Sequence, residues 1–205
     1  MKKESLLFIV PFLLSIAAAA SLGRTTASGN GPFALRDTAI AGGSGTSLDT
    51  SHWKTYRNEK YGFELQYPET WVLGGEGSGS HGPAGQPQQQ SRVWMIEIRK
   101  PYRDGEPDAR VSLGIQENEN ARKLTIDEYV AEQLRAMKTA AASGEHVTIG
   151  GQRAVVVETK SSSGIRVCAT YALLHQTDLV SFIYQHQAKF DATLAAIVAS
   201  FRVLK

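Results

Sequence analysis

Trp53-Lys54-Thr55-Tyr56-Arg57-Asn58-Glu59-Lys60-Tyr61-Gly62-Phe63-Glu64-Leu65-Gln66-Tyr67-Pro68-Glu69-Thr70-Trp71 carries the strongest structural pattern in the chain. Phe63, Leu65 and Tyr67 alternate with Glu64 and Gln66, the period of a strand with one buried face. Arg57 to Lys60 is polar and suits a tight turn after a short strand ending at Tyr56. Pro68 has no N–H to donate to a sheet ladder and ends the second strand. The stretch therefore predicts a hairpin, with Trp71 placing a large ring where the chain leaves it.

Downstream, residues 74–90 are dominated by Gly, Ser, Pro and Gln and predict a long loop. Gly77, Gly79 and Gly82 formally match G-x-G-x-x-G. A dinucleotide site needs a helix opening at the last glycine, and Pro83 and Pro87 prevent one, so the match is compositional. Arg92–Lys100 and Val111–Ile115 resume strand patterns, joined through an acidic turn, Asp104–Asp108, with too few oxygen ligands for calcium. Thr125-Ile126-Asp127-Glu128 is a capping box. Ile126, Tyr129, Val130, Leu134 and Met137 then fall on one helical face, Glu128, Glu132, Arg135 and Lys138 form a paired polar face, Ala140–Ala142 prolong the helix and Gly144 stops it.

From His146 the pattern returns to strands, with a Gly150-Gly151 hairpin turn, then Arg153–Lys160, Ile165–Leu173 and Leu179–His186. Leu194, Ile197, Val198 and Phe201 share a face of a closing helix over about 191–201. Strands, helix, strands, helix is the order of an α+β fold, a central antiparallel sheet with helices packed on it.

Upstream, Lys2 and Lys3, the apolar run Leu6–Ile16 and the small residues Ala17–Ala20 read as a signal peptide over 1–20, cut after Ala19 or Ala20. An uncleaved N-terminal anchor is the competing reading, although the run is short for a membrane span. Residues 21–51 hold few large apolar side chains and read as a flexible linker, within which Phe33 and Leu35 are a candidate docking motif. This leaves 52–205 as one domain, exported to the periplasm or beyond.

The chain has 22 basic and 20 acidic residues, a net charge of +2, which becomes +1 when Lys2, Lys3 and Glu4 leave with the signal. The basic residues are scattered, which argues against nucleic acid as a partner. Membrane contact is expected only through the N-terminal signal or anchor. Cys168 is the single cysteine, so no intramolecular disulfide forms, and its strand position predicts a buried thiol.

The 53–71 hairpin, together with Val147-Thr148-Ile149-Gly150-Gly151-Gln152-Arg153-Ala154 and Ala199-Ser200-Phe201, resembles the Mog1/PsbP-like superfamily over roughly residues 52–205. The resemblance implies an α/β/α sandwich. Members include a photosystem II extrinsic subunit, a Ran-binding protein and exported bacterial proteins, and the chain is most similar to the last group. No functional residue of the family is matched by this sequence.

G-x-S-x-G, H-E-x-x-H, P-loop and C-x-x-C motifs are all missing. No motif points to a cofactor or a metal. The expectation is a non-catalytic binding or accessory domain with a protein partner in the cell envelope. The alternative is a small-molecule or metal binder using the 74–90 loop and an aromatic sheet face, with Trp53, Trp71 and Trp94 as contacts. His81, Trp94, His175 and His186 are the candidate interaction residues. His175 and His186 flank a strand pair, and with Asp178 they form the one constellation that a metal or a general base would suit, against the plainer reading of exposed strand-end histidines.

Overall fold

The computed structural model describes residues 36–37, 48–81, 91–136, 143–160 and 165–204. The expected signal, Phe33 and Leu35 lie outside the described residues, as do Met137, Lys138 and Ala140–Ala142. The described strands are β1 (Arg36–Asp37), β2 (Trp53–Asn58), β3 (Phe63–Pro68), β4 (Val72–His81), β5 (Ser91–Arg99) and β6 (Arg110–Gln116). Helix α1 (Ile126–Ala136) is followed by β7 (Ser143–Ile149), β8 (Gln152–Lys160), β9 (Arg166–Leu174), β10 (Asp178–Gln185), α2 (Asp191–Ala199) and β11 (Arg202–Val203).

The opening hairpin forms as its alternation requires, with Tyr56 opposite Leu65 and Phe63 and Leu65 fully buried. Its first strand runs two residues past Tyr56, to Asn58. The turn closes at Gly62, whose φ of 64° suits a residue without Cβ. The hairpin does not join the main sheet. It pairs with β11 as a three-stranded sheet, β11-β3-β2, while the other strands form an eight-stranded sheet in the order β1-β7-β8-β9-β10-β6-β5-β4. The expected central sheet is present, and the opening hairpin stands apart from it in the small second sheet. Periodicity reports which face of a strand is buried but not which strand lies beside it.

Alternation then sorts the layers. On β10, Val180, Phe182 and Tyr184 point toward the small sheet and α2, and Leu179 points toward α1. The main core gathers Phe63, Leu65, Trp94, Ile96, Leu113, Phe182, Leu194, Ile197 and Phe201 between the two sheets and α2. A second cluster joins Ile126, Tyr129, Val130 and Leu134 of α1 to Val155, Val157 and Leu179 on the opposite face. Helices thus cover both faces of the large sheet, as the α+β expectation required.

Gly150 links the sheets. It bridges to Arg202 with a φ of 56°, and a Cβ there would lie 2.9 Å from the Phe201 carbonyl oxygen. Ser200 ties α2 to the small sheet: its Oγ accepts from the Gln66 N–H at 2.8 Å and donates to the Ile197 carbonyl at 2.7 Å.

Three further expectations change. Residues 72–81, assigned mostly to a loop, are the edge strand β4 on β5, with a register break between Gly74 and Gly77. Ladder bonds come from the backbone, so glycine's weak strand propensity yields to a well-formed neighbour, and the bulge absorbs the misfit. Gly144 does not stop a helix but stands in β7 opposite Val157. Within the segment assigned to the linker, Arg36 and Asp37 pair in parallel with Glu145 and His146. The capping box forms as read: Thr125 N–H donates to Glu128 Oε2 at 2.9 Å, and Glu128 N–H to Thr125 Oγ1 at 3.3 Å. Glu132, however, pairs with Arg122 ahead of the helix rather than along it.

Candidate functional site

Four strands and α2 enclose a groove of about 350 Å³ on the inner face of the large sheet. Its floor follows from register. Tyr184, Cys168 and Glu158 stand opposite one another on β10, β9 and β8, and Thr170, Val156 and Glu145 form the next row on β9, β8 and β7. Ala195 and Val198 of α2 supply the wall.

His186 sits where β10 ends, its N–H donating to the Arg166 carbonyl at 3.0 Å. The ring Nε2 lies 2.5 Å from Glu158 Oε1 without the alignment of a hydrogen bond, and Nδ1 lies 3.6 Å from Asp191 Oδ2. Arg166 pairs with the same Glu158 oxygen. Asp191 also caps the turn into α2, accepting from the Gln187 N–H at 2.6 Å. The groove is therefore lined by two carboxylates, Glu145 and Glu158, one guanidinium and one imidazole, with Asp191 on the far side of the His186 ring.

The thiol reports the sign of that field. Burial pushes the Cys168 thiol up, and Glu158, Asp191 and Glu145 push it further. Burial likewise raises the Tyr184 hydroxyl, which hydrogen-bonds to Cys168. A nucleophilic cysteine needs the reverse, a positive setting that favours thiolate. The Tyr184 hydrogen bond opposes the rise in part, and the net direction favours the protonated thiol.

A wider depression at the start of α1 is lined by Thr125, Ile126, Asp127, Gly151, Gln152, Arg153 and Leu173. Its charged groups approach one another, although Asp127 Oδ1 and His146 Nδ1 are buried without a hydrogen-bond partner. Asp127 Oδ1 lies 3.2 Å from His146 Nδ1, Arg153 Nη2 lies 3.1 Å from Asp127 Oδ2, and the same nitrogen lies 3.2 Å from His146 Nε2.

Of the candidate residues, His186 alone reaches the groove. His175 sits in the β9–β10 turn with a φ of 54°, exposed, with Nδ1 3.8 Å from Asp178 Oδ2. Strand β10 separates it from His186, so the His175–His186–Asp178 constellation is corrected: the two histidines stand at opposite ends of one hairpin. Trp94 is corrected as a contact residue. It is buried among Tyr56, Tyr61 and Phe63, with ring centroids 6.3, 5.5 and 5.8 Å away. Trp71 is buried and Trp53 packs against the core, so the aromatic sheet face lies in the interior and offers no ligand surface. His81 ends β4, opposite Ser91. Among the described residues, no three of His, Cys, Asp and Glu converge as a metal site.

Sequence reasoning missed Glu145, Glu158, Arg166, Asp191 and Tyr184 as one group. They lie on five elements, and only cross-strand register and the packing of α2 bring them together. One signal was present: Arg166, Cys168 and Thr170 share a face by period two.

No protein-family model matches the chain, and no curated protein is similar to it in sequence. Among solved structures, the cyanobacterial PsbP (CyanoP) of Synechocystis sp. PCC 6803 is similar to it, at 15% identity and a TM-score of 0.45, over 78% of this chain and 98% of that one.

Proposed function

We propose that the chain is a non-catalytic binding or accessory domain, exported on its N-terminal signal, that holds a protein partner in the cell envelope through the α2 groove. The observation that carries this reading is the groove itself, a concave surface on four strands and a helix whose charged side chains are held by short contacts. The protonated thiol speaks against the most evident nucleophile.

The test is capture from envelope extract by the purified chain, by Ala195→Trp, which fills the groove, and by Glu132→Gln on the far helix. The expected result is one stoichiometric partner held by the parent chain and by Glu132→Gln but lost by Ala195→Trp. A partner retained by Ala195→Trp, or none captured at all, overturns the reading.

A further inference from the structure

The groove's lining specifies the chemistry of what enters it. Val147, Val156 and Val198 give it apolar walls. Glu145 and Glu158 stand in adjacent rows at one end, near Asp191 at the start of α2. An anionic ligand would meet the Glu145 and Glu158 carboxylates. A single metal ion would not be shared, because the two nitrogens of His186 face different carboxylates on opposite sides of its ring. Arg166 already occupies Glu158, and Glu145 makes none of the ion pairs found among the described residues.

We propose that the α2 groove receives a lysine side chain from an extended segment of the partner protein, its methylene stem against Val156 and Val198 and its ammonium between Glu145 and Glu158. This rests on the groove being the partner-binding surface. Charge complementarity and shape both favour that occupant. A four-carbon stem tipped with a compact cation matches apolar walls ending in carboxylates. A guanidinium fits less well, since the planar fork that would bind Glu158 is already supplied by Arg166.

The experiment is a titration of the isotope-labelled chain, followed by amide NMR shifts. The probes are the acetylated peptide Gly-Lys-Gly-Lys-Gly, its norleucine counterpart, its glutamate counterpart, and spermidine. The lysine peptide is expected to shift the amides of Glu145, Cys168 and Ala195, and the norleucine and glutamate peptides to leave them in place. Glu145→Gln and Glu158→Gln should each weaken binding about fivefold to tenfold, as loss of one charge-assisted contact does. Should Glu158→Gln unfold by freeing Arg166 and His186, Glu145→Gln decides alone.

Equal binding of the norleucine peptide, or full affinity in Glu145→Gln, overturns the proposal. Spermidine binding without lysine-peptide binding overturns the protein source. If the lysine peptide binds while Ala195→Trp still captures the envelope partner, the ammonium site stands and the partner-binding reading falls. If Ala195→Trp loses the partner while no lysine peptide binds, the reverse holds.

Discussion

On one face of the eight-stranded sheet, Ile126, Tyr129, Val130 and Leu134 of α1 cover Val155, Val157 and Leu179. On the other, Leu194, Ile197 and Val198 of α2 join Phe63, Phe182 and Phe201 within the main core. Each face also holds a histidine beside carboxylates and an arginine. On the α1 face, Arg153 contacts both His146 and Asp127 beside the depression that Asp127 and Arg153 line. On the α2 face, Arg166 reaches Glu158 but not His186, and the cluster opens onto a groove. The same residue types thus differ in where one guanidinium lies: against both imidazole and carboxylate on the α1 face, against the carboxylate alone on the α2 face. The α1 face fastens a helix, and the α2 face both builds the core and presents a cleft.

Matched truncations of the two helices sharpen this contrast most. Leu194 is fully buried in the main core, so Leu194→Ala is expected to cost about 3–5 kcal/mol in urea unfolding. Leu134 retains 8% exposure in the smaller cluster, and Leu134→Ala is expected near the low end, about 2 kcal/mol. Equal costs would erase the distinction between a principal and a satellite core.

Asn120 comes next. It is 2% exposed, and its side chain donates to the Leu124 and Gln176 carbonyls and accepts from the Leu124 N–H, tying the entry of α1 to the β9–β10 turn. Asn120→Leu strands those buried groups and should cost about 2–3 kcal/mol by thermal or urea unfolding. A near-neutral result would show that water reaches them.

Thr125→Ala removes the cap of α1 and should cost about 1 kcal/mol. The Thr125 backbone N–H, and secondarily its hydroxyl, hold the Glu128 carboxyl below the usual glutamate range. A lowered folded value means that this contribution is present above the unfolded pKa and is lost as pH falls through the folded one. The parent chain should therefore lose more stability on acidification than Thr125→Ala, which keeps only the backbone donor. Denaturant midpoints across the acidic range measure the difference.

The smallest effect belongs to Arg122→Ala. Its exposed pair with Glu132 should contribute no more than about 0.5 kcal/mol, and a melting temperature indistinguishable from the parent is the expected outcome.

What could be read in advance followed local rules. The hairpin at 53–68, the capping box at Thr125 and Glu128, the turn at Gly150 and Gly151, and the buried Cys168 each rest on residues within a few positions of one another. The failures share the opposite property. Strand β4 looked like a loop because its glycines carry no pattern, and only the β5 backbone beside it shows that it is paired. Trp94 looked like a surface contact on an aromatic sheet face because the small-sheet hairpin that covers it lies far back in the sequence. His175 and His186 looked like neighbours because they are near in sequence, whereas an extended strand carries them to opposite ends.

The sequence by itself determined the periodicities, the helix cap, the turn glycines and the α+β class, because each depends on steric and hydrogen-bonding preferences that act over a few residues. Tertiary structure alone decided that the opening hairpin belongs to a separate sheet with β11, that Gly150 must be bare against Phe201, and that Glu145, Glu158, Arg166, Cys168 and His186 share one groove. Those outcomes depend on cross-strand register and on which faces meet. Long-range packing sets both, and no local pattern encodes them.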